Sequence, residues 1–311
     1  MKECGLYDVV GVCDITEARR GMAISEGLKA TGSFDELLGW DIELVLITSH
    51  SSAHYEDALK VAAARKHIFV EKPMALTGDE AAEMVRAAKD NEVMLTAHHN
   101  RHFDADYRRV KKSVLEEKRI GEIVSIENRT LGARPAVRVG VPEFNPEWRI
   151  TAASGGGTLF DFGPHWVEQI LDLMAGHKIV SVFGDVRHVK WGDAEDVFDL
   201  SMVFDNGVLA RAAKADISYY SLPYKWLILG TEATLVADRG RDKPELTIYG
   251  EDSKETFSDA VEAHSLHTNI AEHLREGKDL IITAEHALRV MQVLQAGRDS
   301  AATGKSVEVE I

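Results

Sequence analysis

The opening third of the chain alternates short β-branched, apolar runs with longer stretches of helical period. Asp8 to Cys13 predicts a strand ending at Asp14, Thr16 to Lys29 a helix, and Ser33-Phe34-Asp35-Glu36 a capping box before a short helix. Glu43 to Thr48 predicts a strand whose Leu44-Val45-Leu46-Ile47 core does not alternate, as expected where both sheet faces are covered. Ser52 to Arg65 reads as a helix and His67 to Val70 as a strand. Thr77-Gly78-Asp79-Glu80 is a second capping box, opening a helix to about Asn91, and Val93 to Ala97 is the next strand. Strand–helix–strand repetition with short links predicts an α/β, Rossmann-like, doubly wound parallel sheet.

After Phe103 the pattern changes. A helix is expected over Ala105 to Glu117, a strand over Ile123 to Thr130, and an irregular stretch to Thr151. Gly155 to Met174 holds a glycine run and then a helix. From Ile179 to Tyr249 several strands follow, separated by turns such as Asp205-Asn206-Gly207. Helices near Ala263–Glu276 and Ala284–Thr303 and a last strand from Ser306 to Ile311 complete an α+β domain with a largely antiparallel open sheet. The change of pattern divides the chain into residues 1–102 and 103–311.

At 311 residues, with 45% apolar and 28% charged residues, the composition is that of a soluble globular protein of two ordinary domains. No apolar run approaches membrane-spanning length and no signal-peptide layout opens the chain. The net charge of -15 argues against a nucleic-acid partner. The only cysteines, Cys4 and Cys13, make no disulfide framework, so a reducing cytoplasm is expected.

Three clusters carry candidate chemistry. Glu71-Lys72-Pro73 closes the His67–Val70 strand, at the edge where open α/β sheets bind ligands. A lysine held there, half out of water, can act as an acid or base; the alternative is a strand-end surface ion pair. In Gly155-Gly156-Gly157-Thr158-Leu159-Phe160-Asp161-Phe162-Gly163-Pro164-His165, Asp161 and His165 lie four apart and share a helix face. A carboxylate beside an imidazole orients it for proton transfer. The glycines would allow close approach to a ligand, and Pro164 suits a first helical turn. The plainer alternative is a glycine loop, a capping Asp and a satisfied histidine. Trp148-Arg149 could hold a carboxylate or polyol and cover a ring. His98-His99-Asn100-Arg101-His102 ends the Val93–Ala97 strand on the same edge as Lys72. A metal site built from His98, His99, His102, Asp161 and His165 is disfavoured, because no motif of standard metal spacing is present.

Taken in order, Glu71-Lys72-Pro73, Asn100-Arg101, Trp148-Arg149 and the Gly156-Gly157 to Asp161 to His165 segment resemble the Gfo/Idh/MocA family of nicotinamide-dependent oxidoreductases across essentially the whole chain. The resemblance implies a Rossmann domain followed by an α+β domain whose open sheet forms a homo-oligomer, a dimer or tetramer. It implies NAD as cofactor, with NADP the alternative, and a small polyol or sugar as substrate. Lys72, Asp161 and His165 would be catalytic, with Lys72 near the substrate hydroxyl and the nicotinamide. Glu71 would touch the nicotinamide side of the cofactor, with Asn100, Arg101, Trp148 and Arg149 nearby. Asp14 matches the acidic residue of the adenosine ribose; its carboxylate repels a 2′-phosphate, whereas Arg19 or Arg20 could serve one. In the wall of the cofactor site, Ser49 and His50 stand where relatives often have Thr-Pro, followed by the matching His54. His98, His99, Arg149 and Tyr219 are candidates for the substrate pocket.

The dinucleotide fingerprint G-x-G-x-x-G does not occur before Asp14, which only thirteen residues precede. The sequence therefore predicts that the first strand of the fold and its glycine-rich loop are missing, with Met1 to Gly5 as the end of the crossover helix. The expected activity is hydride transfer between nicotinamide and a secondary alcohol of a sugar, cyclitol or derivative, with Lys72 or His165 as base. The competing expectation is a cofactor- or sugar-binding homologue that does not turn over.

Overall fold

The computed structural model describes residues 4–135, 137, 147–238, 245–258 and 265–311. Among the described residues, the first domain holds five short parallel strands. Strand β1 (Gly11–Cys13) is followed by α1 (Glu17–Ser25), β2 (Lys29–Thr31) and α2 (Phe34–Leu38). Then come β3 (Leu44–Ile47), α3 (His54–Ala63), β4 (His67–Val70), α4 (Gly78–Asp90) and β5 (Leu95–Ala97). Among the described residues, β1 pairs with β2 and β3–β4–β5 form a second group, with no ladder joining the two.

Strand β2 departs from the sequence pattern, which predicts helix as far as Lys29. Gly27, at φ 80°, turns the chain out of α1, and Lys29 then pairs with Gly11. The Thr77 capping box forms in full: Glu80 N donates to Thr77 Oγ1 at 3.1 Å and Thr77 N to Glu80 Oε2 at 3.2 Å. At Ser33 only half of it forms, because the Glu36 carboxylate turns away to accept from Thr31 Oγ1 at 2.6 Å.

Among the described residues, the second domain is built on a nine-stranded sheet. Its strands are β6 (Ile123–Leu131), β7 (Ile179–Arg187), β8 (Val197–Phe204), β9 (Leu209–Ala215), β10 (Trp226–Gly230), β11 (Thr234–Ala237), β12 (Leu246–Tyr249), β13 (Lys254–Phe257) and β14 (Val307–Glu308). They lie in the order β13-β12-β11-β10-β6-β9-β8-β7-β14, antiparallel throughout except for β6 against β9. One face carries α5 (Ala105–Lys111), which continues as a π turn over Lys112–Glu116, and α6 (Thr158–Leu173). All of α6 is buried except Asp161, Phe162 and Asp172, as expected of a helix between a sheet and other helices.

The last two helices fold back toward the first domain. Helix α7 (Leu266–Glu276) packs Leu266 and Ile270 on Phe69 and Met94, covering one face of the parallel strands. Helix α8 (Ala284–Thr303) packs on α4, α6 and β7 together. Residues 263 and 264, included in the expected seventh helix, lie outside the described residues, as do Met1, Lys2 and Glu3. Helix α6 thus sits at the junction of the domains and can carry side chains to the edge of the parallel strands.

Candidate active site

Asp14 after β1, Ser49 and His50 after β3, Glu71 and Lys72 after β4, and His98 and His99 after β5 all stand at carboxyl ends of parallel strands. The pairing runs past the strands: Glu71 N donates to Ile47 O at 2.9 Å, and His98 N to Val70 O at 2.8 Å. The Lys72–Pro73 peptide is cis. Lys72 Nζ reaches the start of α6, where it donates to Asp161 Oδ1 at 2.8 Å and to the Asp161 carbonyl at 2.6 Å. Arg149 donates to the same Oδ1 at 2.5 Å. Burial would push the Asp161 carboxyl up, but the nearby Lys72 and Arg149 cations, with Lys214 beyond them, hold it below its ordinary value. An ionised carboxylate therefore links the strand edge to α6.

His165 lies one turn further along α6 and is 4% exposed. The expected Asp161–His165 partnership does not form. Asp161 turns to the two cations at the domain junction, and His165 Nδ1 has no protein partner. Burial first, then the charges of Lys72 and Arg101, push the His165 imidazole well below its ordinary value, so the ring is neutral.

The three glycines also have a different role from the one expected. A side chain at Gly156 would overlap the Trp148 carbonyl and the Arg149 backbone. One at Gly157, at φ 111°, would overlap the Glu195 carboxylate. They let the Trp148-Arg149 segment and Glu195 press against the start of α6. Glu195 Oε1 accepts from Leu159 N at 3.2 Å and so serves the helix end that Gly157 leaves without a side-chain cap. Pro164 falls inside α6 rather than in its first turn, because the helix begins at Thr158.

The cleft in front of Lys72 is lined by Ser51, Pro73, Trp148, Arg149 and Asp161. His50 stacks on Trp148, with ring centroids 6.0 Å apart and planes 7° from parallel. The Arg149 guanidinium lies over the same indole at 4.6 Å. Ser49 Oγ donates to Asp57 at 2.7 Å. His54, expected to touch the cofactor, is a buried clasp instead: its Nδ1 lies 2.8 Å from the Pro73 carbonyl and its Nε2 3.1 Å from that of Ser49. Asp14 Oδ1 accepts from Thr16 N at 2.7 Å, and Arg19 lies 3.3 Å from Oδ2.

Glu71 pairs with His98, Oε1 to Nδ1 at 2.5 Å. Burial would raise the Glu71 carboxyl, but the bond to His98 and the His98 and Lys72 charges hold it down. The His98 ring stands edge-on to Phe69 and His267. Asn100 is exposed, whereas Arg101 turns toward α6, its guanidinium about 6 Å from the Phe162 and Trp166 rings.

Two substrate candidates are displaced. His99 is 1% exposed and cannot line an open cleft, because its ring is enclosed at the domain junction. Tyr219 is 87% exposed, with its hydroxyl on Lys190, and does not line the cleft. Among the described residues, no group of three or more His, Cys, Asp or Glu is arranged to hold a metal ion. The Glu168–His102–His286 cluster, Glu195 and the buried Lys214–Asp216 pair are not legible as groups in the sequence. Lys214, a charge inside the apolar run of β9, was the one readable signal among them.

Sequence comparison matches residues 1–99 to the oxidoreductase family, NAD-binding Rossmann fold, of Gfo/Idh/MocA proteins, and residues 107–236 to the Gfo/Idh/MocA C-terminal domain. The chain is 30% identical to the NADP(+) scyllo-inositol 2-dehydrogenase IolW of Bacillus subtilis, over 86% of this chain and 79% of that protein. It is 28% identical to a 1,5-anhydro-D-fructose reductase of Ensifer adhaerens, over 95% and 89%. The crystal structure of an NAD-binding protein from Listeria innocua superposes with a TM-score of 0.85 at 26% identity, covering 97% of this chain and 92% of that one. Both halves of the fold and their order agree with these proteins, and the chain belongs to the Gfo/Idh/MocA family of oxidoreductases.

Proposed function

We propose that this chain oxidises a secondary alcohol of a sugar, cyclitol or related polyol, and reduces the corresponding carbonyl. The observation that carries this reading is the Lys72–Asp161–Arg149 junction at the carboxyl edge of the parallel strands. The residues present fit the ribose and nicotinamide ends of a nicotinamide dinucleotide: a carboxylate after β1, an aromatic stack at His50 and Trp148, and a lysine at the far end of one edge. Such a cofactor supplies the hydride acceptor. Asp14 favours a ribose diol over a 2′-phosphate, so NAD is the preferred form.

The chain's own residues manage the proton. Lys72 Nζ, held by Asp161, faces the hydroxyl that must lose its proton, and either Lys72, once it has given up a proton of its own, or the neutral His165 takes it. The ionised Asp161 keeps the lysine fixed, and Arg149 keeps Asp161 fixed. Burial keeps His165 neutral and thus able to accept. Two thiols, Cys4 and Cys13, with no disulfide, suit a reducing compartment.

We further assign the outer face of the nine-stranded sheet to a homo-oligomer contact, since Phe183, Val203, Leu209 and Leu229 are exposed there. The function is tested by screening inositols, aldoses and anhydro sugars for reduction of NAD and NADP. Saturable reduction of NAD with one polyol class supports the reading; no reduction with any polyol, in protein that binds the nucleotide, favours the alternative of a binding homologue.

A further inference from the structure

Behind the cleft lies a second polar cluster that the reaction as described does not use. Glu168, on the same face of α6 as His165, is fully buried. Its Oε1 accepts from His102 Nδ1 at 2.8 Å and lies 3.3 Å from His286 Nε2, at the start of α8. Its Oε2 has no protein partner. Neither ring nitrogen of the buried His99 has one, nor does His165 Nδ1. The Glu168 charge acts on His99, and a charge on His99 would act on His165. Four unpartnered polar atoms on three enclosed side chains would each cost roughly 1–3 kcal/mol if left dry. Polar gaps of this kind hold ordered water. His286, by contrast, keeps 18% of its side chain exposed.

We infer that His165, His99, Glu168 and His286 form a water-linked path that carries the reaction proton between the buried reacting centre and the surface. The inference rests on the proposed function. Oxidation of the alcohol sends a hydride to the cofactor and leaves one hydroxyl proton on Lys72 or His165. Substrate and cofactor then cover the cleft in front, so the proton needs another way out. A neutral imidazole accepts at one nitrogen and donates at the other, so it can pass a proton without becoming a stable cation. One proton enters at His165 and the ring releases another through water to His99, which passes one on to water beside Glu168 Oε2; the Glu168 carboxylate stays ionised and holds the passing charge, and one proton leaves through His286 to solvent. Reduction runs the path in reverse. The groups facing Glu168 suit this role. Burial would raise its carboxyl, but His102 and His286 hold it at about 2, so it remains an anion that favours a passing cation. His99, at about 4 through burial, remains neutral.

Two measurements test the path. A high-resolution crystal structure of the whole chain should show ordered water within hydrogen-bond distance of His165 Nδ1, a His99 ring nitrogen and Glu168 Oε2. A dry gap between them would overturn the inference, and this outcome is independent of turnover. In the active protein, His286→Ala should fold normally by circular dichroism and lose roughly tenfold in turnover at low buffer concentration. Its solvent deuterium isotope effect should rise, and added imidazole should restore the rate. Unchanged turnover and isotope effect in that variant would equally overturn the path. If the wild-type chain oxidises no polyol, the proposed function fails, while the water positions still decide whether the path exists.

Discussion

His99 shows how one side chain's surroundings set a measurable property. Burial holds its imidazole at about 4, against 6.5 for a free ring. Unfolding therefore takes up a proton between these values, and stability falls as pH is lowered through that window. A shift of this size corresponds to roughly 3 kcal/mol, present above about pH 6.5 and lost progressively toward about pH 4. Urea unfolding of the wild type and of His99→Phe at neutral and mildly acidic pH checks this: the variant should lose less stability on acidification, and equal losses would contradict the assignment. At the other end of the strand edge, Asp14→Ala should weaken NAD binding and narrow the preference over NADP. Calorimetric titration with both nucleotides measures the ratio, and an unaltered ratio would remove Asp14 from the cofactor site. Lys72 is legible as a candidate because it stands between a strand end and Pro73, Asp161 because it follows a glycine run and precedes a histidine by four, and Arg149 because it follows a tryptophan just upstream of that run. The burial of His99 is not legible in the sequence, because its enclosure is made by α6 and α8, far away in the chain, and a histidine in a run of histidines gives no sign of what will cover it.

At the scale of elements, α6 decides whether the two halves of the site meet. Its first residue follows Gly157, whose φ of 111° and contact with Glu195 leave no room for a side chain. Gly157→Ala should cost at least about 2 kcal/mol through backbone strain and displacement of the Glu195 carboxylate. Thermal unfolding should show the loss, and an unchanged Tm would mean that the segment relaxes freely. The helices and most strands were readable from period and caps, the full Thr77–Glu80 box above all. Strand β2 was not, since Lys29-Ala30-Thr31 is too short to show a period and directly continues a helical pattern. The turn at Asp205-Asn206-Gly207 was readable because Gly207 takes a φ of 86° that the asparagine–glycine pair favours.

At the scale of the molecule, the family, the two-domain order and the mostly antiparallel second sheet follow from the ordered set of motifs, each of which is weak alone. The return of α7 and α8 to the first domain was not legible, because nothing local marks which sheet a terminal helix will cover. The exposed pair Val203 and Leu209, directly opposite each other on neighbouring strands, places an apolar row on the open face of the large sheet. Leu209→Asp should shift the chain toward monomer in light scattering after size exclusion, and an unaltered mass would move the interface elsewhere. The central claim is that Lys72, fixed by Asp161, manages the proton of a polyol oxidation. Its most direct test is Lys72→Ala, measured by nicotinamide absorbance on the best polyol from the screen, with nucleotide affinity measured in parallel. Turnover should fall roughly a thousandfold with nucleotide binding nearly unchanged; turnover close to wild type would mean that Lys72 does not handle the proton.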